Sequence, residues 1–529
     1  MPKATTKSYI HTLPLLPENH QSDILNTRFE AARQIYNACL GTSLKRRKKL
    51  IKSGLYKEAM SLYKIHKNQT KKNPSKINKT QINLLFKEAT KIAGFEEFAI
   101  HKYVTNFRNS QYSNLIDANT AQKIASRAFS AVNEFHYNLR GRPRFKTYGQ
   151  LKSVEGKNNT AGIRFIDDYL IWNKQKIKIN YDLKDVYGIQ SSALNSKVKY
   201  CRIVAKTIRK KPRFFLQLIL EGAPKIKDHL LNSYKSGPVG IDLGPQTLAY
   251  VSNHGSGLKI LASDIDRIIK KKAGIQKRLS RKLRVNNPLN FEKTTYRKKD
   301  KRSIKKLGKI KPKQNREKWI VSKSYLKDKQ DLAELERVQS SRRKESHNRF
   351  INLLLTKGND FKLEKINYKA WQKMFGKSIG AKAPGLFVEL LKHKAENAGA
   401  KVTEFKTQTT ACSQKCICGI KKKKSLSERW HNCDCGLAGA SGCGLAGASG
   451  CGVRTQRDLF SAFLAIFVNN DILDLSKAQK AFSGIEHSLV SAILNLKNLN
   501  SASLQILGLK RSEIENLVGK CQIENNCQL

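Results

Sequence analysis

The sequence predicts a multidomain α+β protein, because three stretches of the chain carry three different patterns. Apolar residues recur at helical spacing over residues 21–140. Short strand-like runs with turn signals and no long helix follow over residues 141–235. From residue 236 onward, apolar strands alternate with helical segments. With 529 residues, the chain has enough length for about two to four domains.

The charge balance indicates a polyanionic partner. The chain has 101 Lys and Arg against 41 Asp and Glu, a formal charge of +60. Binding a nucleic acid, with release of its counterions, is the use that best explains such an excess. A heavily charged, solvated surface is the plain alternative. A membrane surface is less favoured, because the charge is spread along the chain instead of lying on one amphipathic segment.

Location follows from three further observations. The first residues lack the apolar run of a secretory signal. The longest apolar stretch, Leu459 to Val468, is ten residues long and too short to span a bilayer. Seven of the 11 cysteines fall within residues 412–451, which favours a metal site in a reducing compartment over disulfides. We therefore expect a cytoplasmic protein that binds nucleic acid and no membrane.

The stretch from 21 to 140 is predicted to be a helical nucleic-acid-recognition domain. One helix begins near Leu25 and is predicted to end near Gly41, and another covers roughly 119–137. The apolar faces of these helices would pack the domain. The basic segments between them, such as residues 45–49, are the parts that could contact a nucleic-acid backbone.

The following strands predict a small β-barrel formed by residues 1–20 and 141–235. Its strands are expected near 8–13, 162–165, 169–172, 177–179, 201–204 and 213–220. The loop that precedes them combines positive charge with an aromatic ring, which suits backbone contact and base stacking. An ordinary loop is an equal alternative. The candidate nucleic-acid contacts in this loop are Arg142, Arg144, Phe145 and Lys146.

An acidic residue opens the second half of the chain. A short apolar strand delivers Asp242, and Gly244 lets the backbone turn away tightly. The next two strand-like runs, 247–252 and 258–262, complete a three-strand meander. An acid on a central strand that opens such a meander is typical of the RNase H-like fold.

The most basic stretch, residues 267–318, contains 22 Lys and Arg and only three acids. A charge run is usually a solvated face. Because this stretch lies between two parts of the predicted sheet, we interpret it as an insertion that grips a nucleic-acid strand. Its candidate contact residues are Lys271, Arg278, Arg281 and Arg284. A helix over roughly 326–355 follows and can cover the sheet.

Two further acids occur where they could join Asp242. Glu364 is predicted to lie in the middle of a strand over 361–368, and a buried glutamate requires a partner or a metal. Asp458 lies in the first turn of a helix, a position that acids also favour through the helix dipole alone. Three such carboxylates together would hold two Mg²⁺ ions for phosphodiester cleavage.

The ordered motifs resemble a known nuclease family. Gly240-Ile241-Asp242-Leu243-Gly244, Leu363-Glu364-Lys365-Ile366-Asn367, a cysteine insert and Arg457-Asp458 resemble the split RuvC domain of TnpB, a transposon-encoded RNA-guided nuclease related to compact type V CRISPR effectors. The resemblance implies a RuvC domain of residues 236–411 and 453–470, with Asp242, Glu364 and Asp458 as Mg²⁺ ligands. Phe460 and Ser461 depart from the family's Asp-x-Asn-Ala-Ala pattern.

The cysteine insert, residues 412–452, predicts one structural Zn²⁺ site. Two thiolate pairs on two turns can close a tetrahedral site, although Cys-x-Cys is tighter than the usual Cys-x-x-Cys. An eight-residue segment at 435–442 recurs identically at 443–450, and this duplication supplies alternatives to one ligand. Cys412 and His431 are possible substitutes. The predicted ligands are Cys416, Cys418, Cys433 and Cys435, with Cys443 or Cys451 as alternatives to Cys435.

By this resemblance, the protein is expected to be an RNA-guided DNA endonuclease in the bacterial cytoplasm, on the nucleoid, with a guide RNA and double-stranded target DNA as partners. One alternative is a type V CRISPR-like effector that binds DNA under RNA guidance with weak or no cleavage. Another is a structure-specific nuclease without a guide. Residues 471–529 are predicted to form a helical tail that serves either as a cap or as a partner contact.

Overall fold

The computed structural model describes residues 6–69, 79–292, 296–298, 305–307, 317–425, 428–433, 451 and 453–526. The chain divides into two compact units, residues 1–225 and 226–529.

The first unit combines strands with a group of helices inserted after the first strand. Its elements in order are β1 Ser8–Leu16, α1 Asn19–Lys52, α2 Gly54–Gln69, α3 Lys79–Ala93, α4 Glu97–Gln111, α5 Ala118–His136, β2 Ser153–Glu155, β3 Ile163–Ile166, β4 Tyr169–Trp172, β5 Gln175–Ile179, α6 Ile189–Leu194, β6 Val198–Ile208 and β7 Lys211–Glu221.

The seven strands form an antiparallel sheet in the order β2-β6-β7-β1-β5-β4-β3. Strand β1 joins the two halves, since it pairs with β7 along most of its length and with β5 at its end. Strand β3, at one end of this order, and strand β6, next to the other end, both contact the side chain of Asn159. Its side chain bonds both the N–H and the C=O of Phe165 in β3, and the Cys201 thiol of β6 contacts its oxygen at 3.2 Å. Closure into a barrel stays a prediction.

A single cluster of buried side chains joins the helices to the sheet. Leu25 and Ile35 of α1, Ala125 of α5 and Leu216 of β7 all belong to it and are fully buried. Residues that were assigned from sequence to a helical domain and to a strand domain therefore share one core. Their division into two domains stays a prediction.

The first helix differs from the sequence prediction. Helix α1 continues through Gly41 to Lys52, so the predicted end near Gly41 is wrong. An interior glycine costs a helix only about 1 kcal/mol relative to alanine. The buried face of this long helix continues past that point with Ser43 and Leu50, so packing outweighs the local preference.

The second unit carries the predicted acids. Its elements in order are α7 Asp228–Ser233, β8 Pro238–Leu243, β9 Thr247–Ser252, β10 Gly257–Ile260, α8 Asp266–Asn286, β11 Tyr296–Lys298, β12 Lys305–Leu307, α9 Lys323–Leu355, β13 Asp360–Glu364, α10 Tyr368–Lys382, α11 Pro384–Asn397, β14 Lys401–Phe405, α12 Thr407–Thr410, β15 Trp430–Asn432, β16 Arg454–Gln456, α13 Arg457–Ala465, β17 Val468–Asn469, β18 Ile472–Leu473, α14 Leu475–Leu494, α15 Ser501–Ile506 and α16 Arg511–Asn526.

Its main sheet has five strands in the order β10-β9-β8-β13-β14. Strands β8, β9 and β10 form an antiparallel meander. Strands β13 and β14 then continue the sheet parallel to β8. Helices α9 and α11 contribute to a core cluster on one face, and α13 and α14 contribute to another.

The C-terminal tail packs against this second cluster. Ala478, Phe482 and Leu489 of α14 are buried together with Phe463 of α13. The tail therefore contributes to the core on the face of the sheet that α13 covers. Among the residues that the structure describes, no helix is long and apolar enough to cross a membrane.

Candidate functional site

The three acids of the sequence prediction line one cavity of the second unit, with a volume of about 430 Å³. The same cavity brings together cationic side chains and an aromatic wall, neither of which was predicted there. The residues that line it are Asp242, Leu243, Gly244, Pro245, Gln246, Thr247, Glu364, Trp371, Met374, Phe375, Ser413, Gln414, Lys424, Arg429, Arg457, Asp458 and Ile506.

Asp242 and Glu364 lie side by side because of the register between two parallel strands. Gly240 of β8 is aligned with Lys362 of β13, and Ile241 with Leu363, so the next residue on each strand is an acid. Side chains alternate between faces of a sheet. Ile241 and Leu363 belong to the core on one face, so both acids point to the other face. Adjacent strands lie roughly 4.8 Å apart.

Glu364 is the last residue of β13, not the middle of a longer strand as predicted. The position at the strand end matters, because the carboxyl ends of parallel strands are where ligands bind in open α/β sheets. The chain continues into helix α10, which was not predicted.

Asp458 reaches the same cavity because helix α13 packs directly on β8. A Cβ atom added to Gly240 would lie 3.0 Å from the Ile466 side chain and far too close to the Ala462 carbonyl oxygen. Only glycine allows this approach. The helix begins after Gln456, a fully buried residue whose side chain accepts from the N–H of Leu459 at 2.8 Å.

Burial and mutual repulsion act on the carboxyl groups of Asp242 and Glu364. Burial raises the pKa of Asp242 well above its ordinary value, the Asp458 and Glu364 carboxylates raise it further, and Arg457 opposes this. Burial also raises the pKa of Glu364, and a hydrogen bond from the Thr407 hydroxyl, at 3.3 Å, opposes that increase. Clustered carboxylates with hard oxygen donors are the ligands that Mg²⁺ prefers. The chemistry of these side chains suits a divalent cation, but the three acids are not among the described groups whose ligand atoms come together at metal-binding distance, so the cation site stays a prediction.

Three cationic side chains lie beside the acids. Arg429 approaches Asp458 with 3.6 Å between Nη1 and Oδ2, and Arg457 approaches it with 3.4 Å between Nε and Oδ1. Lys424 lines the same cavity. Sequence reasoning did not assign them to the site. For Arg457 a signal existed, since it directly precedes Asp458 in the motif.

Aromatic side chains of α10 form one wall of the cavity. Trp371 and Phe375 contact each other edge to face at 6.4 Å between ring centroids, and Met374 beside them is 68% exposed. Such a surface is suited to stacking against a nucleobase.

Phe460 and Ser461, the two residues that depart from the family's Asp-x-Asn-Ala-Ala pattern, have different surroundings. Phe460 is 1% exposed and stacks on His431 at 4.2 Å between centroids, so it belongs to the core and not to the cavity. The Ser461 side chain faces Asp242 and lowers its pKa. Its buried hydroxyl has no hydrogen bond of ordinary geometry among the described residues.

Four cysteines form a cluster that could hold a metal ion. The Sγ atoms of Cys416, Cys418, Cys433 and Cys451 all lie within 4.8 Å of one another. The Cys416–Cys451 pair is separated by 3.5 Å and the Cys418–Cys433 pair by 3.6 Å. Tetrahedral bonds of about 2.3 Å to zinc would place sulfurs roughly 3.8 Å apart, so the cluster fits Zn²⁺.

The fourth cysteine of the described cluster is one of the predicted alternatives. Cys451 completes the described cluster, whereas Cys435 and Cys443 lie outside the described residues. Of the possible substitutes, Cys412 is buried, and its burial, with a further contribution from the nearby Glu364 and Asp242 carboxylates, raises its pKa to about 12. His431 stacks on Phe460 and its Nδ1 contacts the Lys424 ammonium. Neither residue is part of the described cluster.

The predicted basic loop of the first unit is exposed on a fixed backbone. Arg142 and Arg144 are exposed, and the Phe145 ring is 54% exposed against Gly41 of α1. The backbone of Lys146 is held on α1, where Asn37 bonds both its N–H and its C=O. The loop therefore presents two guanidinium groups and a ring in a defined position.

The predicted contacts on α8 differ among themselves. Lys271 and Arg281 are exposed. Arg278 is paired with Asp328 of α9 at 3.4 Å, and Arg284 donates from Nε to the Ser280 carbonyl within its own helix at 3.3 Å. Their binding role stays a prediction, and Arg278 already has an acidic partner.

Comparisons with known proteins give remote likenesses only. No family model matches the chain, and no curated protein matches it. A cryo-electron microscopy structure of a Cas12f1–sgRNA–target DNA complex has a TM-score of 0.40 and 12% identity, and the match covers 87% of this chain and 98% of that chain. A cryo-electron microscopy structure of a CRISPR-Cas12f ternary complex has a TM-score of 0.29 and 14% identity, covering 86% of this chain and 83% of that chain. Likenesses this remote carry no argument about fold or function.

Proposed function

We propose that the protein is an RNA-guided DNA endonuclease with a RuvC-type, RNase H-like nuclease domain. The observation that carries the proposal is the cavity in which Asp242, Glu364 and Asp458 meet although they lie far apart in sequence. A meander of three strands followed by two parallel strands supports the RNase H-like assignment.

Asp242, Glu364 and Asp458 would hold two Mg²⁺ ions, which would supply Lewis-acid stabilisation and an activated water for phosphodiester hydrolysis. Of the cationic side chains of the cavity, Lys424 and Arg429 would bind the phosphate backbone of the strand to be cut. The wall formed by Trp371 and Phe375 would stack against its bases.

The cysteine cluster would hold one structural Zn²⁺. Closing the two cysteine pairs around the ion would fix the insert, and with it Lys424 and Arg429 at the cavity. The guide RNA and the double-stranded target would be bound mainly through backbone contacts, to which the excess of positive charge is suited. Arg142, Arg144, Phe145 and Lys146 are candidates for such contacts, together with Lys271, Arg278, Arg281 and Arg284.

The finer assignment, to TnpB proteins encoded by transposons instead of CRISPR-associated effectors, rests on the sequence resemblance over residues 237–468. An RNA-guided protein that binds DNA without cutting it is the second candidate, and a nuclease without a guide is the third. The presence of all three acids in one cavity favours cleavage over binding alone.

The test begins with the full chain purified together with its bound RNA, which is sequenced. Cleavage of a plasmid that carries the matching target is then measured with Mg²⁺. We expect Asp242→Asn to lower the cleavage rate by at least about a thousandfold, with DNA binding unchanged, because the isosteric amide cannot serve as the anionic metal ligand.

Asp360→Asn is the matched control, because Asp360 begins β13 at the opposite end of the strand from Glu364. It should cut at the rate of the unmodified protein. Undiminished cleavage by Asp242→Asn would refute the assignment of the three acids as the nuclease site. Purification of the protein without a defined RNA would refute the assignment of a guide RNA.

A further inference from the structure

Arg457 is bound firmly to the cysteine insert. Its side chain is 10% exposed, and Nη1 donates to the carbonyl oxygens of Ser425 at 3.0 Å and Glu428 at 2.8 Å. Its backbone N–H donates to the Arg429 carbonyl at 2.8 Å. A buried guanidinium needs such acceptors, because leaving a charged donor unpaired costs more than the bond itself contributes. The insert therefore sets the position of this guanidinium.

The other side of the same guanidinium faces Asp458. Both Nε and Nη2 lie 3.4 Å from Asp458 Oδ1. These contacts are longer than the two bonds to the insert carbonyls. The insert therefore determines where Arg457 lies, and the Asp458 carboxylate is oriented against it.

The cysteine cluster closes both ends of the insert segment that supplies these carbonyls. Cys416 and Cys418 precede it, and a tight turn at Gly419 and a bridge between Lys415 and Lys421 fix that end. At the other end, strand β15 leads into Cys433, whose N–H donates to the Val453 carbonyl at 3.0 Å. A metal held by the cysteines would join both ends.

We infer that Arg457 is a positioning residue that couples the cysteine cluster to the acid site. Metal in the cysteine cluster holds the insert carbonyls, these hold Arg457, and Arg457 orients Asp458 for a divalent cation. This inference rests on the proposed function, since it takes the three acids as cation ligands. The coupling is reciprocal, because any linkage between two binding equilibria acts in both directions.

Positioning and simple charge predict opposite signs for the loss of Arg457. If the guanidinium acted only through its charge, removing it from beside Asp458 would strengthen cation binding by the acids. If it acts by orienting Asp458, removing it weakens cation binding. The sign of the change therefore separates the two roles.

The experiment measures Mn²⁺ affinity by electron paramagnetic resonance in the full chain, with zinc content determined on the same samples. The unmodified protein and Arg457→Gln are each compared with zinc bound and after zinc removal by a chelator that is then dialysed away. Arg454→Gln is the matched control, since Arg454 is an exposed arginine of β16 three residues away.

We expect zinc removal to weaken Mn²⁺ binding by the unmodified protein about tenfold, a typical size for coupling between sites. Arg457→Gln should bind Mn²⁺ about tenfold more weakly even with zinc bound, and zinc removal should then have little further effect. Arg454→Gln should behave as the unmodified protein does.

Tighter or unchanged Mn²⁺ binding by zinc-bound Arg457→Gln would overturn the inference, as would a full effect of zinc removal in that variant. If Arg457→Gln does not fold, Arg457→Lys decides the matter. Lysine keeps the charge but cannot bridge both insert carbonyls and Asp458, so weaker coupling supports positioning and unchanged coupling refutes it. If the unmodified protein and Asp242→Asn bind Mn²⁺ equally, the acid site itself is wrong, which is a separate failure.

Discussion

The two units place their charged groups in opposite ways. In the first unit, Arg142 and Arg144 project from an exposed loop, and what is fixed is the loop backbone, through Asn37. In the second unit, Asp242 and Glu364 lie on the inner strands of a sheet, and the register of these strands fixes the positions of the two acids. Each charged residue on the exposed loop contributes to binding independently, so a substitution there should be tolerated. The positions of Asp242 and Glu364 are fixed by the register of two strands, so they depend on the packing contacts of the sheet.

The largest expected effect tests the packing contacts of the second unit. Gly240→Ala places a methyl group against the Ala462 carbonyl, so α13 must move away from β8 and take Asp458 with it. Overpacking of this kind costs about 3 kcal/mol. Chemical denaturation should show a loss of that size in the free energy of unfolding, with Mg²⁺-dependent cleavage lost as well.

Gly41→Ala is the corresponding change in the first unit. An added Cβ there meets only the edge of the Phe145 ring at 3.7 Å, an ordinary contact, within the helix α1. The substitution should be neutral or should stabilise by up to about 1 kcal/mol. Equal destabilisation by the two substitutions would contradict the contrast between the units.

An intermediate effect concerns pH. His347 of the second unit is 1% exposed, and burial lowers its pKa to about 4. Between that value and about 6.5 the unfolded chain binds a proton that the folded chain does not, so stability falls as the pH falls. From pH 6 to 4.5 this residue should reduce the free energy of unfolding by about 2 kcal/mol.

Thermal or denaturant unfolding across that range checks this prediction. The loss should be absent from His347→Gln and retained in His254→Gln, since His254 is exposed. In the first unit, burial lowers the pKa of His101 and His136 in the same direction, but both are only partly buried. If His347→Gln keeps the full pH dependence of stability, that dependence does not come from His347, and the expected difference between the two units is refuted.

The smallest expected effect belongs to the exposed loop. Arg144→Gln should weaken binding of the co-purified RNA only a few-fold and reduce the salt dependence of binding by about one ion, because it removes one phosphate contact among many. Arg140→Gln is the matched control, since Arg140 is paired with Glu134 at 3.1 Å. A loss of binding above about a hundredfold would show that this loop, too, depends on one residue.

Local patterns predicted most elements well, as the closeness of the predicted helix at 119–137 to α5 Ala118–His136 shows. The order of the three acids along the chain, one on a first strand, one on a later strand and one at a helix start, also indicated the residues that line one cavity. The end of α1 was missed, because tertiary packing outweighed a glycine. Helix α10 was missed, and with it the aromatic wall of the cavity.

The fourth cysteine could not be chosen from sequence, for a different reason. Cys435 and Cys443 begin identical eight-residue segments, and Cys451 begins the first two residues of a further copy, so the repeat itself does not single out one of the three. Among the described residues, Cys451 lies 3.5 Å from Cys416 between the sulfur atoms, whereas Cys435 and Cys443 fall outside them. Arg429 was missed because a lone arginine in a basic chain carries no local signal, and its role depends on contacts distant in sequence.

The pairing of β1 with β7 also constrains the order in which the first unit can mature during synthesis. Ser8 is aligned with Glu221, so β1 pairs with a strand that is made some two hundred residues later. Helices α1 to α5 can form in the meantime from nearby contacts. Until β7 has been made, the edge of β1 that pairs with it stays unpaired. We expect the pairing of β1 with β7 to be the slowest step of refolding.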